Sequence, residues 1–371
     1  MIYTLTYQRA LNFGAVLQAY ALAKFLNNNG HQTQVIDYLP LYMHLQTKRP
    51  MKSVRGTIDK YKKYKKFAAF RRSFLPMTPN TYYRNSALSR LPNMDALIVG
   101  SDQVWNPMLH GKTMDTSFLF DFAAPSVNKL AYAASAGSVR FSSVANSMNI
   151  KHKVGAQLKE FKAIGCRESV LKEDVDAILD QGNESTGSSL QVTTDVVLDP
   201  SLLLKDYSEV EDLSCVPNFD YVVSYVVGSG EMLSTFNSRV AEAKVQFGLP
   251  VIHIGAKAVS NADENRLDIG PSQWLTLIKH AKFVVTNSFH GCAFSINFEK
   301  QFVAIPHKLS ELNQRQQTLL KGVGLSNKLL ADNQPLTPEN TETINYQDVS
   351  KRLASLVSHS SAFLLRHLNA G

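Results

Sequence analysis

What constrains this chain most is an alternation, met twice, between short apolar runs and helix-spaced ones. Residues 1–7 alternate like a strand. Asn12-Phe13-Gly14 reads as a loop, and residues 15–27 carry helical spacing through Val16, Leu17, Tyr20, Ala21 and Leu26. Gly30 ends that helix, and residues 34–38 form the next strand. Strand, helix and strand in that order predict a parallel pair joined by a right-handed crossover. Residues 95–99 then read as a buried strand running into Gly100-Ser101-Asp102-Gln103-Val104-Trp105-Asn106-Pro107. Residues 129–134 are another strand, ending at Ser135-Ala136-Gly137-Ser138. A polar, Gly/Ser-rich turn at 183–189 and Asp199-Pro200 follow. The alternation then starts afresh, with strand 221–227, helix 231–247, strand 251–254, helix 271–280 and strand 283–286. The pattern predicts an α/β fold of two Rossmann-like, doubly wound domains facing a cleft, with ligands outside the carboxyl ends of the strands. The boundaries expected are 1–205 and 206–345, with an amphipathic C-terminal helix in 346–371.

Composition narrows the class. Hydrophobic content of 44% and charged content of 19% are ordinary for a soluble globular protein. No run reaches the roughly 18 apolar residues that span a bilayer, and the N-terminus lacks the apolar core of a secretory signal. Cys166, Cys215 and Cys292 are odd in number and far apart, which fits reduced thiols in a cytoplasmic protein and gives no metal-ligand spacing. The net charge of +8 is local. Residues 48–72 hold eleven Lys or Arg against Asp59 alone, so the rest of the chain sums to −2. Tyr61, Tyr64, Phe67 and Phe70 punctuate that segment and predict a basic amphipathic helical insertion in the N-terminal half. It reads either as a solvated helix with aromatics tucked inward or as a peripheral contact with an anionic membrane. No zinc-finger, helix-turn-helix or RNA-recognition signature accompanies the charge, so nucleic acid is not the expected partner.

Three stretches carry groups able to do chemistry. In Thr286-Asn287-Ser288-Phe289-His290-Gly291, a buried strand meets a helix that Asn287 or Ser288 can cap, starting near His290 or Gly291. His290 then sits at a helix N-terminus, where anions are favoured and imidazolium is not. The ring can hold or donate a proton there, or simply be satisfied by a local hydrogen bond. Gly291 allows a ligand or a neighbouring backbone to come close. Asp102, after the 95–99 strand, is a candidate base or sugar-hydroxyl acceptor, or a cap for its own turn. Trp105 behind it is a sugar platform or core. Arg167 in Gly165-Cys166-Arg167-Glu168-Ser169 is able to grip a carboxylate or phosphate through two hydrogen bonds, or to pair with Glu168. Asn12 and Gly14 open the first helix, Asp199-Pro200 reads as a turn and cap, and Arg315 faces either a cleft or solvent. No P-loop or nucleophile elbow is present.

Taken together these stretches resemble the polysaccharide pyruvyl transferase family. The resemblance runs through N-F-G-A-V-L-Q-A-Y-A-L at 12–22, D-A-L-I-V-G-S-D-Q-V-W-N-P at 95–107, G-C-R-E-S at 165–169 and L-D-P-S at 198–201. It continues through W-L-T-L-I-K-H-A-K-F-V-V-T-N-S-F-H-G-C-A-F-S at 274–295 and R-Q-Q-T-L-L-K-G-V-G-L at 315–325. It implies a fold like GT-B glycosyltransferases, with the C-terminal helix returning to the first domain. It also implies a reaction in which the enolpyruvyl group of phosphoenolpyruvate joins a sugar as a cyclic ketal and phosphate leaves. Phosphoenolpyruvate is then the donor, a sugar or lipid-linked oligosaccharide the acceptor, and neither metal nor cofactor is expected. His290, Asp102 and Arg167 map onto the functional positions of the family's motifs. Asn12, Gly14, Ser101, Asn106, Ser288, Gly291 and Arg315 are the substrate-contacting candidates around them. Ser288 stands where some members carry an arginine, so the anion contact must come from elsewhere. The alternatives are a GT-B glycosyltransferase using a nucleotide sugar and a non-catalytic glycan-binding protein on the same fold.

Overall fold

A computed structural model describes the chain apart from residues 51–52, 107–108, 110–113, 138, 144–150, 184–191, 229 and 370–371. Pro107, Ser138 and nearly all of the turn expected at 183–189 therefore lie outside the described residues. The chain divides into two compact units, Met1–Arg49 with Arg71–Leu203 and Leu356–Gly371, and Pro50–Phe70 with Leu204–Ser355.

Among the described residues the first unit holds seven strands: β1 Ile2–Leu5, β2 Thr33–Tyr38, β3 Met77–Tyr82, β4 Ala96–Val99, β5 Asn128–Ala134, β6 Ala163–Cys166 and β7 Thr193–Val196. Their order is β3-β2-β1-β4-β5-β6-β7, and every pairing is parallel. The order reverses between β1 and β4, which makes that edge the place where loops diverge and ligands fit. β1, β4 and β6 are buried at every residue, as strands covered on both faces must be. The first helix, α1 (Phe13–Asn28), starts earlier than its spacing suggests, because Asn12 caps it by accepting from the Ala15 N–H at 3.3 Å. Three further helices, α2 (Leu41–Lys48), α3 (Val54–Phe74) and α4 (Asn85–Leu88), precede β4, and α5 (Lys151–Leu158) and α6 (Ser169–Asn183) flank β6.

The second unit repeats the design with β8 Val222–Tyr225, β9 Val251–His253, β10 Glu264–Asn265, β11 Phe283–Thr286 and β12 Gln301–Ala304 in the order β10-β9-β8-β11-β12, again all parallel. Its switch point lies between β8 and β11. α7 (Glu231–Phe247), α8 (Pro271–His280), α9 (Phe289–Asn297) and α10 (Gln314–Gly322) cover the sheet. Phe236, Val240, Trp274 and Phe294 are sealed beneath them, each stabilising by roughly 1.5–3 kcal/mol relative to exposure.

Two helices belong to both units. The last, α11 (Tyr346–Asn369), begins in the second unit, where Arg352 lies against Gly324, and ends in the first. There Ser360 Oγ accepts from the Leu198 N–H at 3.0 Å and Asn128 Nδ2 donates to the His367 carbonyl at 3.1 Å. The basic α3, which the sequence places in the N-terminal half, groups with the second unit up to Phe70. The reason is contact: Phe67 and Phe70 are buried, and a Cβ at Gly270 would fall 2.8 Å from that of Lys66.

Candidate active site

At the carboxyl end of β4 the backbone is held in an uncommon conformation. Asp102 has φ 87°, in the region that favours glycine, at a cost of about 1–3 kcal/mol for a residue with a Cβ. Beside it Ala133 has φ 55° where the β5–β6 register slips, and Asp102 bridges to Ala134. The Ser135 N–H donates to the Asp102 carbonyl at 3.1 Å. The Asp102 carboxylate accepts from the Gln103 N–H at 2.8 Å. Strain of this kind persists only where surrounding contacts enforce it.

Those contacts are a buried charge network. Arg167 Nη1 donates to Asp199 Oδ2 at 3.1 Å and to Ser101 Oγ at 3.2 Å, while Ser101 Oγ donates to Asp199 Oδ2 at 2.6 Å. Asp199 Oδ1 takes the Ser201 N–H and hydroxyl at 3.0 and 2.7 Å. Glu168 Oε1 accepts from Ser135 Oγ and the Ala136 N–H at 2.8 and 3.1 Å. Arg167, Ser101, Asp199 and Glu168 are all sealed from solvent. The close partner of Arg167 is Asp199, and Glu168 lies 4.0 Å from Nε. Ser101 faces the same network. Asp199 does cap the turn beginning at Pro200, but it also anchors the arginine.

The remaining candidates of this unit sort cleanly. Asn12 is exposed at the cap of α1, beside the switch point, whereas Gly14 is buried inside that helix. Asn106 is buried, with Nδ2 donating to Gln103 Oε1 at 2.7 Å. Both amides press on Gly137, where an added Cβ would lie 2.3 Å from Gln103 Oε1. Trp105 is core, donating to the Phe118 carbonyl at 2.9 Å and stacking on Phe141.

At the carboxyl end of β11 the second unit builds a different cluster. Ser288 caps α9, its Oγ accepting from the Gly291 N–H at 3.4 Å, so the helix starts at Phe289. His290 is the second residue of that helix, 7% exposed, with its ring edge-on to Phe289. The close approach that Gly291 permits is to Thr286: a Cβ there would lie 2.3 Å from Thr286 Oγ1. Gly291 is therefore a packing requirement at this turn. Burial pushes the Tyr225 phenol well up, and its bond to Ser288 partly offsets this.

Asn287, read from sequence only as a possible cap, is the hub of this cluster. Its Oδ1 accepts from the Val227 N–H at 2.7 Å, and its Nδ2 donates to the Val227 carbonyl at 2.8 Å. That fixes the amide's orientation, so Nδ2 must also donate to His307 Nε2, 3.3 Å away. His307 is then neutral and carries its proton on Nδ1. Burial, and next the Arg315 guanidinium, lower the His307 pKa, consistent with that state. Asn313 holds the His307 backbone on both sides, at 2.8 and 2.9 Å, and Gln316 Nε2 donates to the Asn287 carbonyl at 2.9 Å. Asn287, His307, Asn313 and Gln316 were missed by sequence reasoning. Only their places, directly before the capping serine and just beyond the β12 end, pointed to them.

The polysaccharide pyruvyl transferase family model matches residues 12–308, most of the chain. The chain belongs to this family. It is accordingly a transferase, as the resemblance of its motif stretches to that family implies. A comparison with curated proteins found no match. Among solved structures, S. aureus MnaA bound to UDP aligns at 11% identity and a TM-score of 0.48, over 96% of this chain and 90% of that one. UDP-GlcNAc 2-epimerase of Methanocaldococcus jannaschii gives 11% and 0.47 over the whole of both chains. Phytolacca americana UGT2, solved with UDP-2fluoro-glucose and pterostilbene, gives 10% and 0.47 over 98% of each. At this level of likeness they assign no donor, acceptor or reaction to this family member.

Proposed function

We propose that this transferase moves the enolpyruvyl group of phosphoenolpyruvate onto a sugar of a polysaccharide precursor as a cyclic ketal. The single observation that favours this is a buried histidine at the N-terminus of α9, two residues beyond its capping serine, in a member of the pyruvyl transferase family. In the proposed reaction a proton is added to the methylene carbon of the donor, making it a methyl group and leaving an electron-poor C2. A sugar hydroxyl attacks C2, the C2–O bond to phosphate breaks, and a second hydroxyl closes the ketal. Of the two hydroxyl protons, one balances the proton on the methyl group and the other leaves with phosphate. His290 holds the donor and moves its proton, which suits a ring at a helix terminus that favours bound anions. Asp102 accepts from the attacking hydroxyl. Arg167 acts as a positioning residue, fixing the β4 turn through Ser101 and Asp199. His307 and Arg315 are assigned to the donor side, in place of the arginine that Ser288 replaces. The acceptor is a sugar, free or lipid-linked.

Mass spectrometry tests this reading. Candidate glycan acceptors incubated with phosphoenolpyruvate should gain one pyruvate ketal for each phosphate released. Phosphate-free transfer, or turnover with a nucleotide sugar instead, would return the protein to ordinary glycosyl transfer.

A further inference from the structure

Helix α3 is inverted relative to an ordinary surface helix. Ser53 starts it, its Oγ accepting from the Gly56 N–H at 3.1 Å. At 100° per residue, Lys63, Phe67, Phe70 and Arg71 fall on one side. That side is buried, with Phe67 at 0% and Phe70 at 3% exposure. Burial there pushes Lys63 down to about 8. The opposite side is the i, i+4, i+7 stripe of Val54, Ile58 and Tyr61, which are 79%, 50% and 58% exposed. Three large apolar side chains in one row facing water are costly unless something covers them. Arg55, Lys62 and Lys65 border the stripe and are exposed, and Lys65 Nζ lies 4.7 Å from the Tyr61 ring centroid. Over Val54–Phe74 the helix carries eight Lys or Arg and Asp59 as its one acid.

We infer that this face of α3 docks on an anionic lipid surface. Apolar side chains bordered by cations on one helical stripe are what an interfacial helix needs. The apolar row enters the headgroup boundary while the cations meet lipid phosphates. Among the described residues no helix is long and apolar enough to cross a membrane, so α3 lies on the surface rather than spanning it. The inference does not rest on the proposed reaction, and turnover of a water-soluble acceptor should be indifferent to it.

The test uses the full chain and vesicles of phosphatidylcholine alone or with one part phosphatidylglycerol to two. Both native tryptophans, Trp105 and Trp274, are sealed in the core, so Tyr61→Trp adds a clean reporter. Its emission should shift to the blue with anionic vesicles only. Lys62→Gln with Lys65→Gln should weaken partition roughly 30-fold and flatten its salt dependence. Val54→Ser, Ile58→Ser and Tyr61→Ser together should weaken it roughly 100-fold. All these positions are exposed, so unchanged thermal melts will show that the variants fold. The inference is overturned if the native chain ignores anionic vesicles, or if both variants bind as it does. It is equally overturned if the basic face captures single-stranded DNA in preference to vesicles, or if the serine variant abolishes self-association instead.

Discussion

At the end of β4 the chain gathers Ser101, Asp102, Arg167, Glu168 and Asp199, with the Asp199 and Glu168 carboxylates at one guanidinium and the Asp102 carboxylate on its own turn. At the end of β11 it gathers Asn287, Ser288, His290, His307 and Gln316, whose own side chains carry no carboxylate, though Glu231 and Asp332 line the same cavity as His307. The topological position is the same, a strand end next to a switch point. The chemistry is opposite. The first cluster spends its charges on itself and holds a strained turn, leaving Asp102 as its acidic group nearest the turn. The second is built of amides, a hydroxyl and imidazoles, at a helix terminus that favours anions. A carboxylate beside a bound anionic donor would repel it, whereas a carboxylate is what an attacking hydroxyl needs. The contrast therefore supports assigning the acceptor to the first cluster and the donor to the second.

The largest effects should separate the two clusters by kind. His290→Ala should lower turnover by about 10²–10⁴-fold, the range of general acid–base catalysis, with little change in the melting curve. Arg167→Ala should instead cost about 3–5 kcal/mol in denaturant melts, because it leaves the Asp199 carboxylate buried without its cation. Equal melting curves for the two variants would erase the distinction between a chemical and a positioning role.

A smaller effect comes from His253, at the end of β9, whose ring lies 2.9 Å from Ser224 Oγ. Burial lowers its pKa from 6.5 to about 4. As pH falls, the unfolded chain takes up the proton first. The stability tied to this neutral ring is complete above about pH 6.5 and is lost progressively towards pH 4, on the order of 3 kcal/mol. Chemical melts across that range should show a shallower pH slope in His253→Asn than in the native chain. Identical slopes would refute it. Smaller again is Gly291→Ala, expected to cost about 1–3 kcal/mol through the contact with Thr286, with most of it restored by adding Thr286→Ala. Restoration would confirm that the glycine serves packing.

Much of this was legible in the sequence. The interior strands and α7 and α8 follow from apolar runs and helical spacing, which report burial directly. The edge strands were not. β3, Met-Thr-Pro-Asn-Thr-Tyr, is polar and holds a proline, as an edge with one neighbour permits. Asp102 and His290 were marked by standing where a strand ends. The partnership of Arg167 with Asp199 was hidden, because a contact between residues 32 apart leaves no local pattern, while adjacent Glu168 offered a plausible decoy. The positive φ of Asp102 was hidden too, since only a glycine announces such a backbone in sequence. His307 had no periodicity to reveal it and depends on Asn287 for its role.

Calorimetric binding of phosphoenolpyruvate to the native chain, His290→Ala and Asp102→Ala tests the division most directly. Binding should be weakened strongly in His290→Ala and kept in Asp102→Ala, whose defect should appear only when the sugar is added. Loss of phosphoenolpyruvate binding in Asp102→Ala with full retention in His290→Ala would contradict the assignment of donor and acceptor to the two strand ends.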